Sequence, residues 1–147
     1  MSKFKILREY EKTLLHIEDI IGSNETTNIQ LDILGKRIFG ERFIGVFSSD
    51  TFPKYVKQSE MFIINVDPHY KGGSHWCAVY KYGPYFYLYD SFNRKAGSLS
   101  KFLKSKTIIS ANTDRDQSYN EYSCGARSLA WLLLADKYTP YKIMSII

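Results

Sequence analysis

Residues Ala126-Arg-Ser-Leu-Ala-Trp-Leu-Leu-Leu-Ala135 are good helix formers with no breaker among them. Apolar side chains recur on nearly every side of that helix, so it must be covered on most of its surface. Other elements of the chain therefore have to be built around it. The preceding stretch, Gln117-Ser-Tyr-Asn-Glu-Tyr-Ser-Cys124-Gly125, is polar and turn-forming. The change of character places Cys124 on the first turn, beside free backbone N–H groups and the positive end of the helix dipole. Both stabilise a thiolate, so the position suits a nucleophile. A small hydrophobe opening a core helix is the competing reading, and a base elsewhere in the chain separates the two.

At 147 residues the chain is long enough for one domain with a real core. A hydrophobic share of 44% and an aromatic share of 16% exclude a disordered chain. No apolar run approaches the ~20 residues that span a bilayer, so no membrane partner is expected. The amino terminus runs into a charged amphipathic segment, unlike a secretory signal. Cys77 and Cys124 offer neither a disulfide framework nor metal-ligand spacing, so no metal is expected and an intracellular setting is. The net charge of +5 permits contact with nucleic acid without requiring it. No internal repeat or low-complexity linker divides the chain.

Taken in order, Phe4, Leu7, Leu14, Leu15, Ile17, Ile20 and Ile21 predict an amphipathic helix that ends at Gly22. Thr27-Asn-Ile-Gln30 has capping-box form and opens a second helix to about Arg37, with Gly35 weakening it. Residues 43–47 and 61–66 read as strands, the second of them buried. Residues 74–82 and 85–89 predict a hairpin turning at Gly83-Pro84. A short helix over 98–104 and a strand over 106–110 follow. Thr139-Pro140 caps a last helix that runs to the end. Helices at both ends of a central sheet make the class α+β.

Three histidines are candidate bases. His16 falls on the first helix as an ordinary surface or interface residue, and His69 lies in the loop Asp67-Pro-His-Tyr70. His75 is the strongest, because it opens a strand after Gly72-Gly-Ser and sits on rigid support. The hairpin brings it near Asp90 at the open end of the partner strand, where cross-strand side chains meet. A carboxylate there can hold one imidazole nitrogen and aim the other at a thiol. Gln117 supplies amide N–H groups for an oxyanion, beside the backbone N–H of Cys124.

Together, Gly72-Gly-Ser-His75-Trp76, Tyr87-Leu-Tyr-Asp90-Ser91-Phe92, Gln117 and Cys124-Gly125 resemble the adenovirus protease (adenain) family and its SUMO-specific and other ubiquitin-like-protein protease relatives. The order of the four residues is the family's, and the step from Gln117 to Cys124 is similar to the adenovirus branch. The likeness spans about residues 28–147 and leaves the helix over 1–22 as an addition. It implies a single domain, 1–147, with a central mixed β-sheet flanked by helices in a papain-like cysteine protease core.

The resemblance also implies Cys124 as nucleophile, His75 as base, Asp90 as orienting acid and Gln117 in the oxyanion hole. Trp76, with Gly73 and Ser123, would line a narrow substrate channel. Such a channel suits extended polypeptides with Gly-Gly or Gly-X at the scissile bond. The implied role is maturation of a viral polyprotein or capsid precursor, in the virion and the host cytoplasm or virus factory. Two departures stand out. Asp90 replaces the Glu of adenain and looks more like the SUMO-protease version. No cysteine lies near Lys104 to Ile108 to take a disulfide-linked peptide activator.

Three further readings stay open at this point. One is a deconjugating protease for ubiquitin-like proteins. A second is a nucleic-acid-binding virion protein using Arg94, Lys95, Lys101, Lys104 and Lys106, a stretch that also keeps DNA in view as an activator. The third makes the first helix a docking or dimerisation element instead of a lid on the domain's own core.

Overall fold

A computed structural model describes residues 2–22, 27–48, 51, 53, 55–65, 75–90, 107–110 and 124–147. The first helix, α1 (Lys3–Ile21), starts where the Ser2 hydroxyl accepts from the Lys5 N–H at 3.2 Å. It stops at Gly22, whose φ of +91° lets its own N–H turn back to the Glu18 carbonyl. Ile6, Tyr10, Leu14 and Ile17 form its buried face. This corrects the expected stripe, since Phe4 is 81% exposed, and Leu15 and Ile20 also face solvent. Successive helical steps put the four buried residues within an arc of about 80°, with Phe4 and Leu15 on the far side. Through that face α1 packs against the Cys124 helix and joins the main core.

The second helix, α2 (Asn28–Phe39), carries both halves of the capping box: Thr27 Oγ1 accepts from the Gln30 N–H, and Gln30 Oε1 accepts from the Thr27 N–H. It continues past Arg37. Gly35 does not weaken it but permits its packing, because a Cβ there would lie 2.5 Å from the Phe43 ring. A short 3₁₀ turn (Gly40–Arg42) leads from α2 into β1 (Phe43–Ser48).

Among the described residues the sheet has five strands in the order β1-β2-β3-β4-β5, completed by β2 (Met61–Asn65), β3 (Trp76–Tyr82), β4 (Tyr85–Tyr89) and β5 (Thr107–Ser110). β1 and β2 run parallel, as do β4 and β5, whereas β2, β3 and β4 pair antiparallel. The sheet is therefore mixed and the class α+β, as expected. The β3–β4 turn is the two-residue Gly83-Pro84, with Gly83 at φ +62°. The expected helix over 98–104 lies outside the described residues.

Side-chain alternation divides the core. Met61, Ile63, Trp76, Ala78, Tyr80, Tyr87 and Tyr89 face the helices in one cluster, while Phe62, Ile64, Cys77, Val79, Phe86 and Leu88 form a second cluster on the other face. The apolar run becomes α3 (Cys124–Tyr138), with Leu129, Ala130, Trp131 and Leu132 fully buried. Thr139, in the left-handed region at φ +76°, caps α4 (Pro140–Ile143) through its hydroxyl. α4 ends at Ile143, short of the terminus expected for it. Among the described residues no helix is long and apolar enough to cross a membrane.

One polar clamp ties the layers together. Arg42 donates two hydrogen bonds to Asp136 at 2.6 and 2.7 Å, and the buried Tyr80 hydroxyl donates to the same carboxylate at 2.7 Å. The Arg42 guanidinium, then the Tyr80 hydroxyl, hold the Asp136 carboxyl below its ordinary range despite partial burial.

Two outcomes follow. Gly35→Ala gains about 1 kcal/mol of helix propensity yet overpacks the Phe43 ring at a cost of about 1–3 kcal/mol. A net loss in urea unfolding is expected, reduced in a Gly35→Ala/Phe43→Leu double variant. Asp136→Asn should cost about 1–2 kcal/mol, because Arg42 is half exposed and the ion pair is screened. The Asp136 contribution is present above the ordinary carboxylate pKa of about 3.9 and lost as pH falls through the lowered folded value. Acid unfolding of the Asn variant should accordingly show a weaker pH dependence in that window.

Candidate active site

The hairpin register builds the first half of the site. Ala78 pairs with Tyr89, so one further step sets Cys77 opposite Asp90. His75 is two residues before Cys77, on the same face by the period of a strand and diagonal to Asp90. The contact is made: His75 Nε2 lies 2.7 Å from Asp90 Oδ1, and the two side chains are only 3% and 8% exposed. Sequence reasoning expected this pair from the hairpin alone.

The end of β4 that carries Asp90 is held from the helix side. The Tyr89 ring stacks on Trp131 of α3 at a centroid distance of 5.5 Å and an interplanar angle of 9°. Its hydroxyl lies 3.0 Å from that of Tyr10 on α1, with both buried. The acid thus follows directly on a residue locked to two helices. Nothing in the local sequence marked Tyr10, Tyr89 and Trp131 as supports, because they meet only through tertiary packing.

Cys124 supplies the second half. It is the first residue of α3 and is 3% exposed. Trp76, the residue after His75, couples strand to helix at both of its peptide groups. Its carbonyl accepts from Ser128 Oγ at 3.2 Å, and its N–H is directed to the Cys124 sulfur. The strand carrying the imidazole and the helix carrying the thiol are joined within one residue of each. The Trp76 side chain is itself buried in the main core.

Burial is the largest influence on Cys124 and pushes its thiol up; the Asp90 charge acts in the same direction. The backbone N–H of Trp76 on β3, then those of Gly125 and Cys124 at the helix start, pull the other way and are outweighed. This corrects the expectation that the helix dipole would make a ready thiolate. The dipole and the N–H groups are legible from sequence, whereas burial depends on the rest of the fold.

Cys77 is the residue sequence reasoning passed over. Its sulfur lies 3.7 Å from His75 Nε2, and the ligand atoms of His75, Cys77 and Asp90 all fall within 4.8 Å of one another. The only signal was its position two residues after the histidine. Gln117, Gly73, Ser123 and His69 lie outside the described residues, as does the basic stretch Arg94, Lys95, Lys101, Lys104 and Lys106. His16 is exposed on α1. The structure therefore brings His75 and Asp90 together, with Trp76 joined to Cys124 beside them. No protein-family model and no curated protein sequence matches the chain.

Proposed function

We propose that the chain is a cysteine endopeptidase of the adenain and SUMO-protease type, with Cys124 as nucleophile, His75 as base and Asp90 as the group that orients the base. The observation that carries this reading is the buried 2.7 Å pair between His75 Nε2 and Asp90 Oδ1, one residue away from the peptide that contacts the Cys124 sulfur. A structural imidazole on a strand needs no buried carboxylate, and a core cysteine needs no N–H groups directed at its sulfur.

With Nε2–H donating to Asp90, the neutral imidazole presents its lone pair at Nδ1, which becomes the basic atom. The upward push on the thiol favours a protonated resting sulfur over a standing thiolate. Proton transfer to Nδ1 then accompanies attack of the sulfur on the substrate carbonyl carbon. The oxyanion is held by the backbone N–H of Cys124, with the Gln117 amide as its expected companion; one such donor is worth about 10²–10³ in rate. As the C–N bond breaks, Nδ1–H protonates the departing amine, and water activated at the same nitrogen hydrolyses the thioester. The proposed substrate is an extended peptide with glycine at the scissile bond, in the manner of a virion-maturation protease.

Cleavage of Gly-Gly and Gly-X peptides by purified protein tests the reading. Cys124→Ala should lower turnover by about 10⁶-fold with an unchanged circular dichroism spectrum, and Asp90→Ala by about 10⁴-fold or less. Near-normal turnover by Cys124→Ala would end the proposal. Strong preference for a folded ubiquitin-like conjugate over the peptides would move the substrate class to deconjugation. A Cys77→Ala background isolates the thiol chemistry. There, alkylation of Cys124 by iodoacetamide should rise steadily with pH to beyond about 8.5. A reactive plateau in acid would show a standing ion pair instead.

A further inference from the structure

We infer that His75, Cys77 and Asp90 form a binding site for a thiophilic divalent cation such as Zn²⁺, and that its occupation switches the base off. The site is argued from the proximity of these three side chains; only the inhibitory consequence rests on the hydrolase reading. A tetrahedral zinc bound by sulfur, nitrogen and carboxylate oxygen separates its ligand atoms by about 3.4–3.6 Å. The sulfur–nitrogen edge is already 3.7 Å, and all three atoms lie within 4.8 Å of one another. The Asp90–His75 contact, at 2.7 Å, has to open as its hydrogen bond is replaced by two bonds to metal, and the Asp90–Cys77 edge, within 4.8 Å, has to settle at the tetrahedral spacing.

Charge favours the same ion. A dication with one thiolate, one carboxylate and a neutral imidazole sums to zero, which suits a place where His75 is 2% exposed and Cys77 is fully buried. The donor set of sulfur, nitrogen and carboxylate selects zinc or cobalt over magnesium or calcium. Cys77 lies on β3, His75 immediately precedes that strand and Asp90 immediately follows β4, so the edge between histidine and cysteine is set by the hairpin before a metal arrives.

Binding releases the Cys77 thiol proton to solvent and places the metal on Nε2. The imidazole proton then moves to Nδ1, the nitrogen assigned as the base. A protonated Nδ1 cannot accept the Cys124 proton, and Asp90 is withdrawn from orienting the ring. The cation therefore blocks the reaction without touching the nucleophile.

Cobalt titration of the Cys124→Ser variant tests the site directly, because Cys77 is then the only cysteine in the chain. A thiolate-to-cobalt charge-transfer band with tetrahedral d–d absorption, displaced by one equivalent of Zn²⁺, is expected. Absence of that band at millimolar Co²⁺ overturns the proposal whatever the enzyme does. In the Cys77→Ala chain, with its folding checked by circular dichroism, the band should vanish and zinc affinity fall by more than about tenfold. Basal peptide turnover in Cys77→Ala should be kept while Zn²⁺ inhibition weakens by a similar factor. A band kept in Cys77→Ala and lost in Cys124→Ser would place the metal on the nucleophile and overturn the assignment.

Discussion

The pairing register of the β3–β4 hairpin is the constraint on which the rest depends. With Ala78 opposite Tyr89, Tyr87 and Tyr89 face the helices and Phe86 and Leu88 face the second cluster. A slip by one residue would exchange the two faces and take Asp90 away from His75. Three features hold the register: a two-residue turn at Gly83-Pro84, large side chains on both faces, and the stacking of Tyr89 on Trp131. The first is local, the second depends on the sheet having two covers, and the third depends on α3 arriving.

The chemistry at Cys124 comes from two opposed effects of the same placement. Putting a thiol at the first residue of a core helix provides N–H groups that favour a negative sulfur. It also removes water, which favours a neutral one. The balance falls on the side of burial. A cysteine in this setting is shielded from casual oxidation and alkylation. The path from Trp76 to Ser128 fixes β3 against α3 without using the side chain of His75 or Cys124.

Much of this was legible in the sequence, for identifiable reasons. The hairpin was readable because Gly83-Pro84 interrupts two aromatic-rich runs, and α2 because its capping box is local. His75 and Asp90 followed from the hairpin by counting. The stripe of α1 was misjudged because apolar residues lie on several of its sides, and only the partner helix decides which are buried. Gly35 looked like a defect because propensity says nothing of a ring pressed against the helix. Cys77 was given no role because spacing along the chain does not reveal a carboxylate across a sheet.

The hydroxyl pair between Tyr10 and Tyr89 carries a wider implication. It links the amino-terminal helix to the strand position immediately before Asp90. Whatever perturbs α1, such as a partner gripping its outer surface, would be felt as a missing hydrogen-bond partner deep beside Asp90. The amino-terminal helix thereby bears on the hairpin's far end as well as covering the core.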